Sequence, residues 1–195
     1  MRVSVIGGSS IDDETAEVAR EVGRLLGERG HTLVCGGLGG VMASACEGAR
    51  EAERSEASLG ASGERKRPAS READRREASD GASGRTDRRE GRHASRAVET
   101  IGILPTTRRA DANEWVTTPI ATGLGNARNP LVVLNGDAVI AIDGAAGTLS
   151  ELGHALDYHR PVAGLDTHGV DLEGFRAVES PRAAVDYVES AVNHR

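Results

Sequence analysis

The feature that most constrains the fold is a unit of short apolar strand, glycine turn and helix, which occurs twice near the start of the chain. Residues 3–6 form the first predicted strand, followed by Gly7 and Gly8 and a helix over about 12–29. Residues 31–35 form the second, followed by the glycine-rich turn 36–40 and a helix from Val41 to about Ala52. This alternation predicts an α/β protein with a doubly wound, mostly parallel sheet in a three-layer αβα arrangement.

The same alternation resumes near residue 98. Strands are predicted over 98–104, 138–142 and 161–165, with a further short strand near 175–178. Helices are predicted over roughly 128–135, from the turn 144–147 through Tyr158, and over 181–192. Asn129 and Pro130 are the expected cap and first residue of the helix at 128–135. Residues 106–127 are predicted to be a long connection without a strand.

Residues 54–97 have a different composition, rich in Arg, Glu, Ser, Ala and Gly, with Leu59 as the only large aliphatic side chain before Val98. Such a segment buries too little apolar surface to offset the entropy of ordering it. We therefore predict one domain over 1–195 that carries a low-complexity, disordered insertion over 54–97. Basic and acidic residues alternate in it, which favours a solvated spacer over a segment that contacts RNA or an acidic partner.

Charge and hydropathy limit the function classes. The net charge is −6, which argues against a nucleic-acid surface, and no apolar run approaches the roughly 20 residues of a membrane helix. The first strand is too short for a secretory signal, so we expect a cytoplasmic protein. Lys66 is the only lysine, and this acidic, lysine-poor composition is typical of a salt-rich cytoplasm or of a GC-rich genome.

Cysteine and histidine spacing does not predict a metal site. Cys35 and Cys46 lack the CxxC spacing and are expected to be two small buried thiols. His154 and His159 do not share one helical face. No metal is predicted, and no cofactor is expected to be required.

Glycine turns follow three of the predicted strands, at 7–8, 36–40 and 144–147. The carboxyl ends of parallel strands meet at one edge of a sheet, where glycine lets the backbone approach a ligand and the next helix offers free N–H groups. These turns therefore predict a binding site for a phosphate-bearing ligand. The chain has neither GxxxxGK[ST] nor GxGxxG after the first strand, which argues against a P-loop NTPase and a standard dinucleotide enzyme.

Three segments carry a family resemblance: Gly36-Gly-Leu-Gly-Gly-Val-Met42, Arg128-Asn129 and Gly144-Ala-Ala-Gly-Thr-Leu-Ser-Glu151. They resemble the LOG (LONELY GUY) family, once called lysine decarboxylases, and within it the branch that is similar to molybdenum-cofactor carrier proteins. The resemblance implies a Rossmann-like fold, a homo-oligomer (a dimer or larger), and hydrolysis of the N-glycosidic bond of a nucleoside 5′-monophosphate. The alternative is a carrier that binds a nucleotide or the molybdenum cofactor without chemistry.

By position, the resemblance makes Arg128 and Glu151 the catalytic pair and assigns the phosphate to Gly144, Gly147 and Thr148. A carboxylate stabilises the positive charge that develops on a sugar during cleavage, and arginine binds phosphate oxygens through two donors. The other predicted ligand-binding residues lie in the glycine turns and beside the arginine: Gly7, Gly8, Ser9, Gly36, Gly37, Gly39, Gly40 and Asn129. The chain departs from the family pattern at Asp143, where LOG enzymes have proline, at Ala145, which replaces a glycine, and at Asn129, which replaces a basic residue.

Structural alternatives accompany several of these assignments. Thr148 and Glu151 also match a helix capping box, and Arg128 also fits a surface position near a helix start. Trp115 is expected either to stack on a base or to seal the core. Ser9 or Ser10 is expected to contact phosphate, to cap the first helix, or both.

Overall fold

The computed structural model describes residues 1–62 and 98–194. In these two ranges the strands are β1 (Arg2–Gly7), β2 (Thr32–Cys35), β3 (Thr100–Leu104), β4 (Thr118–Ala121), β5 (Ala138–Ile142), β6 (Val162–Leu165) and β7 (Phe175–Ala177). The helices are α1 (Asp13–Glu28), α2 (Val41–Ser62), α3 (Asn129–Leu134), α4 (Ala146–Asp157) and α5 (Pro181–Asn193). Single 3₁₀ turns cover Arg109–Asp111 and Gly125–Arg128.

The strands form one seven-stranded sheet in the order β4-β3-β2-β1-β5-β6-β7, and each neighbouring pair is parallel. The chain builds outward from β1 to β4 and then returns to the other side of β1 with β5. β1 and β5 therefore flank the point where the strand order reverses, which is where open α/β sheets bind ligands. The predicted doubly wound fold is confirmed.

The two faces of the sheet follow from the alternation of side chains along each strand. Val3 and Val5 of β1 point to one face, where they join a core with α1, α2 and α5. Ile6 points to the other face, which α3 and α4 cover. Central strands are apolar on both faces because helices cover both, as β5 shows with all five residues buried.

Helix α1 begins at an Asp cap and ends where glycine reverses the backbone. Asp12 is its N-cap and accepts a hydrogen bond from the Thr15 N–H at 2.8 Å, so the expectation that Ser9 or Ser10 caps this helix is wrong. Gly30 follows the helix with φ 71°. Helix α2 continues through Ser62, past its predicted end near Ala52 and into the predicted insertion. The rest of the predicted insertion, residues 63–97, lies outside the described residues.

Two further predictions need correction. Residues 106–127 contain β4, a short edge strand that pairs with β3, so this connection is not without a strand. Asn129 is the first residue of α3 and follows directly on the 3₁₀ turn, and Arg128 occupies the cap position without a side-chain capping bond. No helix in the described ranges is long and apolar enough to cross a membrane.

Candidate functional site

A cavity of about 250 Å³ opens at the carboxyl ends of β1, β2, β3 and β5, at the point where the strand order reverses. Its walls come from separate chain segments that the sheet topology brings together. The predicted site residues that line it are Gly7, Gly8, Ser9, Gly36, Arg128, Asn129, Gly147, Thr148 and Glu151.

The other predicted glycines of the β2–α2 turn do not line the cavity, and Gly37 and Gly40 have a structural reason to be glycine. Gly37 has φ 75° and packs against Leu104, while Gly40 has φ 61° and leaves no room for a Cβ next to the Gly8 carbonyl. Gly39 lies near Ser9 at the top of the same turn. The left-handed φ values of Gly37 and Gly40 let the β2–α2 turn fold tightly under the β1 turn.

The β5–α4 turn presents an uncapped helix end to the cavity. Ala145 is the N-cap of α4 and makes no side-chain capping bond. Thr148 therefore lies inside the first turn of the helix, and the capping-box alternative for Thr148 and Glu151 is wrong. Gly144 has φ 114° and sits directly beneath Thr148, away from the cavity lining. The first N–H groups of α4 thus lack intrahelical acceptors beside Gly147 and Thr148, which is a favourable place for an anion.

Arg128 is buried, with only 7% of its surface exposed, so the surface alternative is wrong. Its guanidinium donates to the Asn129 side-chain oxygen and, at 3.4 Å, to the Gly36 carbonyl. The Nε atom is buried and has no hydrogen-bond partner among the described residues. Burial lowers the pKa of Arg128. A buried guanidinium with an unused donor calls for a further acceptor, and it lies at the wall of a cavity.

Glu151 faces Arg128 across 3.5 Å and is buried to the same extent, with 7% of its surface exposed. Removal of the carboxylate from water raises its pKa to about 7, although the positive charge of Arg128 opposes this shift. Near neutral pH the carboxyl group is therefore present in both protonated and ionised forms. A cavity carboxyl with such a pKa is suited to proton transfer or to stabilisation of positive charge.

Asp143, the main departure from the LOG pattern, does not line this cavity. It has φ 49°, and its carboxylate lies beside Gly8. It lines a separate cavity of about 210 Å³ together with Asp12 and Asp166.

The cysteines and the tryptophan have structural roles. Cys35 and Cys46 are free and buried with their sulfurs 3.6 Å apart, as expected of two core thiols. The Gly37 N–H donates to Cys35 Sγ at 3.3 Å. Trp115 packs against the core on the α1–α2 side and does not line the cavity, which agrees with the sealing alternative. In the described part of the chain, no three His, Cys, Asp or Glu residues are placed to hold a metal ion.

Seven residues of the cavity lining were not predicted as site residues: Val5, Ile6, Leu38, Met42, Pro105, Asn126 and Ala145. All of them except Asn126 are apolar and carry no chemical signal. Pro105 follows β3 directly, so the rule that strand ends share one edge was sufficient to find it. Met42 lies in the first turn of α2, and its position becomes apparent only when α2 is placed against β1.

A doubly wound sheet with a glycine-lined cavity at its switch point is the architecture of Rossmann-like ligand-binding proteins. This chain belongs to the SLOG cluster4 family, which it matches over residues 1–72 and 90–193. The unmatched residues 73–89 fall within the segment predicted to be an insertion. The family match confirms the resemblance inferred from the three sequence segments.

Similar proteins agree with this assignment. An uncharacterized protein of Archaeoglobus fulgidus is 33% identical over 192 residues, which are 98% of this chain and 96% of that protein. The molybdenum cofactor binding protein of Rippkaea orientalis has a similar structure, with a TM-score of 0.70, 26% identity, and coverage of 98% of this chain and 96% of that one. The Moco carrier protein of Chlamydomonas reinhardtii shares the fold, with a TM-score of 0.70, 23% identity, and coverage of 100% and 98%.

Proposed function

We propose that this chain binds a small phosphate-bearing ligand with a flat ring, either a nucleotide or a phosphorylated pterin such as the molybdenum cofactor. The observation that carries the proposal is Arg128, a buried cation whose side chain lines the cavity and whose buried Nε donor has no hydrogen-bond partner in the described part of the chain. The uncapped first turn of α4 lines the same cavity at Gly147 and Thr148. A phosphate group accepts hydrogen bonds from both sources and neutralises the buried guanidinium.

The apolar side chains of the cavity support a ligand with a ring. Leu38, Met42 and Pro105 line it together with the phosphate-binding groups. A site of this composition takes a ligand that is polar at one end and flat and apolar at the other. The proteins named above as molybdenum cofactor binder and carrier make a phosphorylated pterin a reasonable candidate. In this chain Arg128, Gly147 and Thr148 would hold its phosphate.

Hydrolysis of a nucleoside monophosphate is the second candidate function, and Glu151 is the observation that favours it. Its carboxyl group lines the same cavity as Arg128, and a pKa of about 7 leaves a large fraction ionised near neutral pH. In the ionised form it would stabilise the positive charge that develops on the ribose as the N-glycosidic bond breaks. A carrier has no need of such a group.

The test is a thermal-shift screen at high salt against nucleoside 5′-monophosphates, ribose 5-phosphate and molybdopterin, followed by chromatography for released base. Wild type is compared with Arg128→Gln, Glu151→Gln and the matched control Arg108→Gln, whose side chain is 78% exposed. We expect stabilisation of wild type and of the control, and loss of stabilisation in Arg128→Gln. Released base that disappears in Glu151→Gln would establish the hydrolase, and stabilisation without released base would establish the carrier. If no phosphate compound stabilises wild type, the proposal is wrong.

We also propose a cytoplasmic homo-oligomer without a nucleic-acid or membrane partner. Leu134 and Leu149 are 42% and 46% exposed on α3 and α4, and Leu124 is 51% exposed just before the 3₁₀ turn that carries Arg128. A second copy of the chain would cover these leucines beside the site. Light scattering after gel filtration tests this, and a monomer at all protein concentrations would contradict it.

A further inference from the structure

Arg128 has two roles at the cavity. Its Nη1 atom lies 3.5 Å from the Glu151 carboxylate, and the same side chain lines the space in which we place the ligand phosphate. Arg128 directly precedes α3, and Glu151 lies in the second turn of α4, so the two side chains of this buried contact come from different elements. A ligand anion bound at Arg128 would therefore share with Glu151 the positive charge of the Arg128 guanidinium.

The described residues around Glu151 supply no second cation. Arg128 is the only charged group of the described residues that acts appreciably on its pKa. The nearest titratable neighbour on β2 is the Cys35 thiol, which is neutral when protonated. The wall from β1 consists of Gly7, Gly8 and Ser9, and α2 contributes Met42. His154 lies one turn further along α4 and is only partly buried.

We propose that Glu151 takes up a proton when a phosphate-bearing ligand binds at Arg128, so that the site holds the anion and a proton together. This inference rests on the proposed binding function, and it applies to a carrier and not to the hydrolase, which would need an ionised Glu151 in the complex. A dianionic phosphate places negative charge near the carboxylate, competes for Arg128 and displaces water from the cavity. Each of these effects makes the ionised form of Glu151 less favourable relative to the neutral form.

The number of protons taken up on binding is expected to depend on pH. Below neutral pH, Glu151 already holds its proton in much of the free protein, so binding takes up little. At about pH 8 most of the free protein has an ionised Glu151, and uptake approaches about one proton per site. By linkage, affinity then falls with rising pH, by at most about tenfold per pH unit. The ligand itself contributes little at that pH, because a phosphate monoester with a second pKa of about 6 is already a dianion.

The experiment is isothermal titration calorimetry at about pH 8 with adenosine 5′-monophosphate and, separately, inorganic phosphate, in buffers of different ionisation enthalpy. The slope of observed enthalpy against buffer ionisation enthalpy gives the protons exchanged. Per ligand bound, we expect about one proton to be taken up by wild type and about none by Glu151→Gln, whose side chain keeps its shape but cannot take up a proton, whatever the affinity of the variant. An infrared difference spectrum of wild type is expected to gain a neutral-carboxyl band on binding that Glu151→Gln lacks.

The outcomes separate this inference from the proposed function. Binding with no proton uptake by wild type, or with equal uptake by Glu151→Gln, overturns the inference and leaves the proposed function intact. An infrared spectrum without the neutral-carboxyl band overturns it as well. Absence of binding by wild type with either compound and with molybdopterin overturns both.

Discussion

The Arg128 guanidinium lies against the backbone of Gly36, where a side chain would displace it. A Cβ atom at Gly36 would lie 2.3 Å from Arg128 Nη2 and 2.7 Å from Met42 Sδ. The Gly36 carbonyl also accepts a hydrogen bond from Arg128 Nη2 at 3.4 Å. Gly36 thus provides the space in which the arginine reaches the cavity.

Gly36→Ala is therefore expected to weaken binding of phosphate ligands by about tenfold or more, because the guanidinium moves and loses a charge-assisted hydrogen bond. Calorimetry with adenosine 5′-monophosphate measures the effect. Circular dichroism is expected to show an unchanged fold.

Gly39→Ala is the matched control within the same turn. A Cβ there meets only the Ser9 carbonyl at 3.6 Å, an ordinary contact. We expect its affinity to stay within about twofold of wild type. An equal loss in both variants would show that the turn as a whole, and not the position of Arg128, controls binding.

The contact between α1 and α2 yields a stability prediction. A Cβ at Gly23 would lie 1.8 Å from the backbone oxygen of Ala45, so the two helices touch through their backbones there. Gly23→Ala forces them apart and is expected to cost about 2 kcal/mol or more. In a thermal melt this corresponds to a decrease of about 4 °C or more for a domain of this size.

Gly153→Ala provides the control for that substitution. Gly153 is an exposed residue in the interior of α4 with no atom within 4 Å of its Cβ position. Alanine there is expected to stabilise the protein by up to about 1 kcal/mol through helix propensity. If both variants melt at the wild-type temperature, the close α1–α2 contact is not a feature of the protein in solution.

A group of ion pairs joins α5 to the end of α1. Glu189 accepts from Arg29 and pairs with His31, each at 2.6 Å. Burial raises the pKa of Glu189, but the hydrogen bonds and positive charges of His31 and Arg29 together outweigh it and lower the pKa. The pKa of Glu189 is lower in the folded protein than in the unfolded chain. The Glu189 carboxylate therefore stabilises the protein above about pH 4.5, and this stabilisation is lost as pH falls through the pKa of the folded state. Glu189→Gln is expected to cost about 1 kcal/mol at neutral pH in urea denaturation, and less as the pH becomes acidic. Arg182 lies 3.9 Å from Asp186, and its own side chain is 79% exposed. Arg182→Ala is therefore expected to cost no measurable stability.

Sequence patterns predicted the fold well because strand, turn and helix signals agree along most of the chain. β5 illustrates this, since its predicted and observed bounds coincide at Ala138–Ile142. β4 was missed because Pro119 interrupts a four-residue strand at the edge of the sheet, where a missing N–H donor is tolerated. The continuation of α2 to Ser62 was missed because its Ser- and Glu-rich sequence there lacks an apolar stripe.

The candidate site was predictable only in part. The rule that strand ends share one edge predicts that the three glycine turns meet, and each of them lines the cavity: through Gly7 and Gly8, through Gly36 and Leu38, and through Ala145 and Gly147. The pairing of Arg128 with Glu151 came from a family resemblance, since no spacing rule connects the two positions. The burial that shifts the pKa of Glu151 depends on how α4 packs over β1, and a sequence pattern does not contain that information.

The stability of the protein is expected to decrease when Glu151 ionises. Its folded pKa of about 7 lies above its value of 4.5 in the unfolded chain, so the native state binds more protons between these limits and stability falls as pH rises through them. At 1.36 kcal/mol per pKa unit, the loss is roughly 3 kcal/mol once Glu151 is ionised. Glu151→Gln cannot ionise, so its stability relative to wild type is expected to increase by roughly 2 to 3 kcal/mol between about pH 5 and pH 8, since part of the loss in wild type occurs below pH 5. Urea denaturation of both proteins across this range measures the change, which is independent of any fixed cost of leaving Arg128 without its partner. Parallel stability curves would show that Glu151 titrates like an exposed carboxylate, and that its burial against Arg128 does not control its charge.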